Sequence, residues 1–252
     1  MRYAVVTGAS SGIGEALAKG LSRKGFALIL VARREARLLE LAKKLKTSAE
    51  VFTADLSKVE ECERLTKFLE KFDIGVFVNN AGFGLCEAFI NSSSKREMEM
   101  LDLNVRAVHL LSKWAFKKMA RRGGFLMNVA SVAGLTPGGP CMATYYATKA
   151  YVASLSQALF EEASMQKIPV HVSCLCPGPI DTEFNSVAHV RFSLPGMSAE
   201  FCSNYAIKKM FQGTRVIIPG AWLRFGILLG RFVPDFLYLK ITGHVQRRKL
   251  ER

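Results

Sequence analysis

Acidic residues are scarce in this chain: 21 Asp and Glu stand against 35 Lys and Arg, leaving a net charge of +14 over 252 residues. A surplus of that size fits an anionic partner, such as a phosphorylated cofactor, a nucleic acid or an acidic membrane surface, and fits equally a merely basic exterior. The nucleic-acid option finds no further support, because zinc-ligand spacing, a heptad basic region and an aromatic platform motif are all missing. No secretory leader is expected either. Met1 and Arg2 run straight into an apolar strand, with no n-region, h-region or cleavage site. That opening predicts a cytosolic protein with reduced thiols. The six cysteines are scattered, and Cys174 and Cys176 flank a single residue, too close for a redox or zinc CxxC pair. On a strand they share a face, which marks them as small buried hydrophobes. No metal site is evident. No tandem repeat or low-complexity tract breaks the chain, and a composition of 50% hydrophobic and 22% charged residues excludes wholesale disorder.

What is present is an alternation of short apolar runs and longer amphipathic ones. Tyr3–Thr7, Phe26–Ala32, Val51–Ala54, Ile74–Asn79, Phe125–Ala130 and Val170–Cys176 read as strands. Between them, Ile13–Lys24, Glu35–Lys46, Val59–Lys71, Lys95–Arg121 and Ala147–Ala163 carry helical periodicity, as in Ile13, Leu17 and Leu21. Strands that are apolar throughout belong in a parallel sheet covered on both faces. The order predicts an α/β, doubly wound, three-layer single domain. It divides into a core over 1–182, a substrate lid region over 183–214 and a basic apolar extension over 215–252.

The first strand ends in Thr7-Gly8-Ala9-Ser10-Ser11-Gly12-Ile13-Gly14. Glycines in such a turn let a pyrophosphate approach the backbone, and the following helix offers free N–H groups and the positive end of its dipole. The spacing is GxxxGxG rather than GxGxxG, and without its strand and helix it would be only a tight turn. The second strand ends at Ala32 with Arg33 and Arg34 and no acid. An acid there holds a ribose 2′-hydroxyl, whereas a guanidinium fork pairs with a 2′-phosphate. The pair therefore predicts NADP(H), with Arg33 the first choice and Arg37 left to a solvated helix start. Asn79-Asn80-Ala81-Gly82 puts small residues at the end of the fourth strand, where a flat cofactor can pass. Tyr145 and Lys149 are four apart and share a helical face. A free phenol ionises near 10, and a neighbouring ammonium favours the phenolate. Ser131 ends the fifth strand and can hydrogen-bond a carbonyl or alcohol oxygen.

With these residues in this order, the sequence closely resembles the short-chain dehydrogenase/reductase family. The resemblance spans about residues 1–205 and rests on Thr7–Gly14, Asp55, Asn79–Gly82, Asn104, Ser131, Tyr145 with Lys149, and Pro177-Gly178-Pro179-Ile180-Asp181-Thr182. It implies a Rossmann-like fold. It also implies that Tyr145 is the acid or base, that Lys149 holds the nicotinamide ribose and lowers the tyrosine pKa, and that Ser131 positions the substrate oxygen. Asn104 would support a water relay. The cofactor would lie along Gly8, Ser10, Ser11, Gly12, Ile13, Gly14, Arg33, Arg34, Asp55, Leu56, Asn79, Ala81, Gly82, Tyr145, Lys149, Pro177, Gly178, Ile180 and Thr182. No metal is implied. One departure stands out: Ser131 and Tyr145 are fourteen positions apart where thirteen is usual. Pro137-Gly138-Gly139-Pro140 is expected to absorb the extra residue, leaving Tyr145 as the acid because Tyr146 has Ala150, not lysine, four residues on. The resemblance further implies a homodimer or homotetramer paired through the helices that carry Lys113–Lys118 and Tyr151–Phe160.

Beyond Thr182, Phe184, Val187, Phe192, Leu194, Met197 and Phe201 form either an apolar lid or ordinary core. Steroid-like ketones and fatty acyl β-ketones both fit an apolar pocket. Farther on, the uncharged run between Arg224 and Arg231 falls far short of the roughly 20 residues that span a bilayer. Apolar residues mixed with arginines suit an interface arm, a pocket cover or a helix at a membrane surface. The leading expectation is an NADP(H)-dependent carbonyl reductase or alcohol dehydrogenase for a hydrophobic substrate. A 3-oxoacyl reductase at a membrane surface is the same-fold alternative. A non-catalytic NADP-binding regulator is the alternative of another class, and the intact Asn104, Ser131, Tyr145 and Lys149 set argues against it.

Overall fold

The computed structural model describes residues 1–184 and 196–250, with side chains described through residue 247. Seven parallel strands form its sheet, in the order β3-β2-β1-β4-β5-β6-β7. They are β1 (Tyr3–Thr7), β2 (Ala27–Ala32), β3 (Ala49–Thr53), β4 (Ile74–Asn79), β5 (Gly124–Val129), β6 (Val170–Leu175) and β7 (Val216–Ile217). Every residue of β2 and β4 is buried, as a strand covered on both faces requires. The two-residue side-chain period then sends alternate residues into two separate cores. Ala4, Val6, Leu28 and Leu30 enter one, while Val5, Ile29 and Val31 enter the other.

The first core is capped by α1 (Gly12–Arg23), α2 (Glu35–Lys44) and α7 (Ala199–Phe211). Leu17 and Leu21 of α1 are fully buried, each contributing about 2 kcal/mol of burial. A side chain at Gly20 would run into Ile207, so the glycine is what lets α7 lie against α1. The second core is capped by α3 (Val59–Leu69), α5 (Val108–Met119) and α6 (Ala143–Met165). The long helix expected over Lys95–Arg121 is broken: α4 (Ser94–Leu101) passes into a π-helical turn, Asp102–Ala107, before α5 begins. Asn104 sits in that widened turn.

The segment expected to be a lid divides in two. Val187, Phe192 and Leu194 lie outside the described residues. α7 is core, since Cys202, Ala206, Ile207 and Met210 pack beneath the sheet, and only Phe201 of its aromatic pair is exposed. The extension begins as β7 and continues as α8 (Ala221–Gly230) and α9 (Asp235–Leu250). Cys174 and Cys176 are buried side by side with their sulfurs 3.5 Å apart, as their shared strand face predicts.

Candidate active site

β1 is flanked by β2 on one side and β4 on the other, so the chain leaves its C-terminal end in one direction and β4's in the opposite one. The two departing loops open a crevice between them. The β1 loop turns at Gly8, whose φ of +67° lies in the left-handed region that favours glycine. A Cβ there would lie 2.8 Å from Asn80 Nδ2 and 2.9 Å from Ala81 Cα, so the two loops pack directly on each other. Thr7 and Asn80 fasten them. The Thr7 hydroxyl accepts from the N–H groups of Asn80 and Ala81, and Asn80 Nδ2 donates to the carbonyls of Thr7 and Gly8.

A cavity of about 440 Å³ runs from Arg33 and Arg34, past this junction, to an apolar end walled by Phe83, Met142, Tyr146 and Phe184. Of the cofactor residues expected from sequence, Gly8, Ser10, Ser11, Gly12, Ile13, Arg33, Arg34, Asp55, Leu56, Ala81, Gly82, Tyr145, Lys149, Pro177, Gly178, Ile180 and Thr182 all line it. Two do not. Asn79 is buried beneath the crevice, where its Nδ2 donates to Ser112 Oγ at 3.1 Å and to Asn128 Oδ1 at 2.9 Å. It ties β4 to β5 and α5, and Asn80, one residue on and pointing the other way, borders the cavity instead. Gly14 also lies off the cavity wall. A side chain there would collide with the Gly8 carbonyl, so its role is the close seating of α1 on the β1 loop.

At the basic end, Arg34 is the better placed of the two arginines. Its guanidinium reaches Ser10 Oγ at 3.1 Å and Ser11 Oγ at 2.9 Å and pairs with Glu183 at 2.9 Å. The Ser11 side chain makes no capping bond at the start of α1, so that hydroxyl and the helix N-terminus face the same crevice. Arg33 borders the cavity with its side chain exposed. Arg37, expected to be merely solvated, joins Arg34 on Glu183, and the two guanidinium groups hold that carboxyl below the usual range. Asp55 borders the cavity while its carboxylate accepts from the Ser57 hydroxyl at 2.8 Å.

In the middle of the cavity Tyr145 and Lys149 lie one turn apart on α6, and Ser131 ends the β5 loop beside them. Between Ser131 and Tyr145 the chain makes a short 3-10 turn, Val132–Leu135, and then a loop that leads into α6. Cys141 there adopts a φ of +64°, rare for a side-chain-bearing residue. Tyr145 therefore reaches the cavity with Lys149 still one turn on, and Tyr146 occupies the apolar wall. Lys149 Nζ donates to the Val129 carbonyl at 2.9 Å and lies 5.9 Å from the Tyr145 ring centre. Burial dominates both groups. It pushes the Tyr145 phenol up to about 12, against a downward pull from its hydrogen bond with Ser131. It brings the Lys149 ammonium down to about 8. Desolvation outweighs the Ser131 hydrogen bond at Tyr145, and it disfavours the charged form of each group.

Asn104 is fully buried below Gly82. Its Nδ2 donates to the Phe83 carbonyl at 2.8 Å and to Thr148 Oγ1 at 3.2 Å, and its Oδ1 accepts from the Phe83 N–H at 3.1 Å. A Cβ at Gly82 would sit 2.9 Å from Asn104 Oδ1 and 3.4 Å from Lys149 Nζ. Asn104 and Lys149 thus converge on one point that glycine leaves open. Among the described residues, no group of three His, Cys, Asp or Glu side chains could hold a metal ion.

The residues that sequence reasoning passed over are Asn80, Phe83, Met142 and Gln246. Asn80 stood inside a motif already singled out and was separable from Asn79 only by strand alternation. Gln246 arrives from α9 and offered no signal in a basic tail.

The family described as short chain dehydrogenase matches residues 2–189. An uncharacterized oxidoreductase of Staphylococcus epidermidis is 36% identical over 184 residues, covering 72% of this chain and 79% of that one. A short-chain dehydrogenase from Sphingobium yanoikuyae, solved in complex with NADPH, superposes with a TM-score of 0.82 at 30% identity, covering 92% of this chain and 93% of that one. The bulky-bulky ketone specific alcohol dehydrogenase from Comamonas testosteroni superposes with a TM-score of 0.78 at 29% identity, covering 92% of both chains.

Proposed function

The chain belongs to the short-chain dehydrogenase family, and from that premise we propose that it is an NADP(H)-dependent oxidoreductase interconverting a ketone and a secondary alcohol on a bulky apolar substrate. The observation that carries this reading is Tyr145, buried between Ser131 and Lys149 where the cavity passes from its polar to its apolar end. The polar end suits the adenosine half of a 2′-phosphorylated dinucleotide, with Arg34 beside the Ser10 and Ser11 hydroxyls and the open start of α1. Ala81, Gly82 and Gly178 on the cavity wall leave room for a flat ring to pass close to the backbone. The NADPH complex of the Sphingobium neighbour agrees with that assignment.

Bound NADPH supplies a hydride to the carbonyl carbon. The chain's own work is on oxygen and proton. The Ser131 hydroxyl holds the substrate oxygen against Tyr145, and the Tyr145 Oη–H bond breaks as its proton passes to that oxygen. A phenol kept protonated up to about 12 is ready to donate throughout the physiological range. Lys149, one turn on, stabilises the phenolate that forms, and Asn104, held by Phe83 and Thr148, would support the water relay that returns a proton to it. Phe83, Met142, Tyr146 and Phe184 give the substrate end its apolar character and keep water away.

The test is NADPH oxidation at 340 nm with NADH in parallel, against steroid ketones, bulky aromatic ketones and 3-oxoacyl thioesters. Turnover with NADPH well above NADH is expected, with bulky ketones the best substrates. Rates that climb with acyl chain length would move the substrate to the 3-oxoacyl class. Tyr145→Phe is expected to lower kcat by about 10³-fold or more while NADPH affinity stays within about twofold. Retained turnover in that variant overturns the mechanism.

A further inference from the structure

The outer surface of the C-terminal helices is the reverse of what a helix shows to water. In α8 the half-buried residues are Leu223, Ile227 and Gly230, at helical spacing, and the opposite side exposes Trp222, Phe225, Leu228 and Leu229. None of its ten residues is buried. α9 is inverted: Tyr238, Thr242, Gly243 and Gln246 turn inward, while Phe236, Leu237, Ile241 and Val245 are exposed. Trp222 is 87% exposed, and Phe232 in the turn between the helices is 81% exposed. An apolar exterior this continuous marks an interaction surface.

The charges on that exterior identify the partner. Arg224, Arg231, Lys240 and Arg247 are exposed, and none makes an ion pair among the described residues. Asp235 is the one acid in these two helices. A second copy of the chain would bring positive charge against positive charge across an apolar seam, with almost nothing to neutralise it. An anionic lipid surface supplies both complements at once, acyl chains for the aromatic and aliphatic side chains and headgroups for the guanidinium groups. At about 1.5 Å per residue α8 is suited to lie in such a surface, not to cross it. No described helix is long and apolar enough to cross a membrane.

We propose that the exposed face of α8 and α9 docks on an anionic lipid surface and presents the apolar end of the cavity to it. α9 contributes to the wall of that cavity, and α8 packs behind it. Leu223 packs where a Cβ on Gly178 would lie, at 2.7 Å. Gln246, only 4% exposed, lines the cavity and donates from Nε2 to the Tyr146 hydroxyl at 2.9 Å. A lipid surface held against these helices lies beside the substrate end, so that an apolar substrate enters with little passage through water.

The experiment uses the full chain with phosphatidylcholine vesicles and with mixed phosphatidylcholine–phosphatidylglycerol vesicles. Co-sedimentation with the mixed vesicles, but not with phosphatidylcholine alone, is expected, together with a blue shift of Trp222 emission. A Trp222→Phe chain, which retains only Trp114, supplies the baseline. Arg224→Ala with Arg231→Ala should weaken vesicle binding about 25-fold, from about fivefold per basic residue, and leave NADPH oxidation in detergent-free buffer unchanged. Trp222→Glu should weaken it further, and the arginine pair keeps the test decisive should that variant misfold. A chain that stays in the supernatant with mixed vesicles overturns the proposal. So does a concentration-dependent dimer that Trp222→Glu dissolves, which would assign the face to a second copy.

Discussion

The carboxyl edge of the sheet and the C-terminal helix pair handle buried and exposed groups in opposite ways. At the sheet edge polar groups go inward and hydrogen-bond to one another, with Asn79 Oδ1 left as the unpartnered atom of the set. Asn79, Ser112, Asn128 and Ser156 form one buried chain of hydrogen bonds, and Asn104, Phe83 and Thr148 form another. In α8 and α9 apolar groups go outward and have no cover within the chain. The first arrangement fixes a unique geometry at the cost of desolvation; the second leaves surface free energy unspent until something binds. Precision belongs to one region and affinity for an outside surface to the other.

The sharpest way to break that contrast is Lys149→Met. It replaces a buried ammonium by an apolar chain of similar length, and should lower kcat by about 10²-fold or more. Stability should move the other way. The folded-state pKa of Lys149 is depressed to about 8 from 10.5, so the unfolded chain binds the proton more tightly between those values. The penalty is full below about pH 8 and fades as pH rises towards 10.5. Thermal melts should therefore find the variant more stable than the parent at pH 7, with the gap closing by pH 10.

Arg34→Ala comes next. Loss of a charge-assisted contact should raise the NADPH Kd by roughly 10- to 100-fold and leave NADH nearly untouched, read by nicotinamide fluorescence. Arg33→Ala, whose side chain makes no hydrogen bond or ion pair with the described residues, should have the smaller effect. The reverse ranking would return the 2′-phosphate to Arg33. Asn79→Ala should cost about 2 kcal/mol in urea unfolding, because Asn128 and Ser112 lose a buried partner, and should leave NADPH affinity unchanged. A weakened cofactor site without lost stability would put Asn79 back in the cavity. The smallest effect is expected outside: Phe225→Ser and Ile241→Ser should each change stability by less than about 0.5 kcal/mol, because each residue is more than half exposed.

Much of the sheet was legible because its strands are apolar on both sides and need no partner identified to be read. Ile74–Asn79 was placed to the residue, and Tyr3–Thr7 likewise. The Tyr145–Lys149 pair stands at a common helical spacing and was legible only together with Ser131, Asn104 and the glycine loop, and the cavity gathers nearly every cofactor residue named from sequence. What stayed hidden depends on direction or distance. Asn79 and Asn80 differ only in which face each occupies, and strand alternation decides it after the strand's end is known. Gly14 belongs to the glycine pattern, but its neighbour is the Gly8 carbonyl and not the crevice. β7 is two residues long, too short to announce itself, and α7 is core only because α1 offers Gly20 opposite Ile207. The upward shift of the tyrosine pKa was not legible, because burial is not measured by sequence.

The placement of β1 in the sheet has a consequence in time. Its two neighbours are β2 and β4, so its second edge is open until residue 79 has been made. At about 5–20 residues per second of synthesis, that edge waits roughly 4–14 s. The face of α1 that receives Ile207 waits longer still, roughly 10–40 s. For that interval the nascent chain carries an unpaired apolar strand and a bare helix, and its yield in the cell depends on what shields them as much as on the stability of the finished protein.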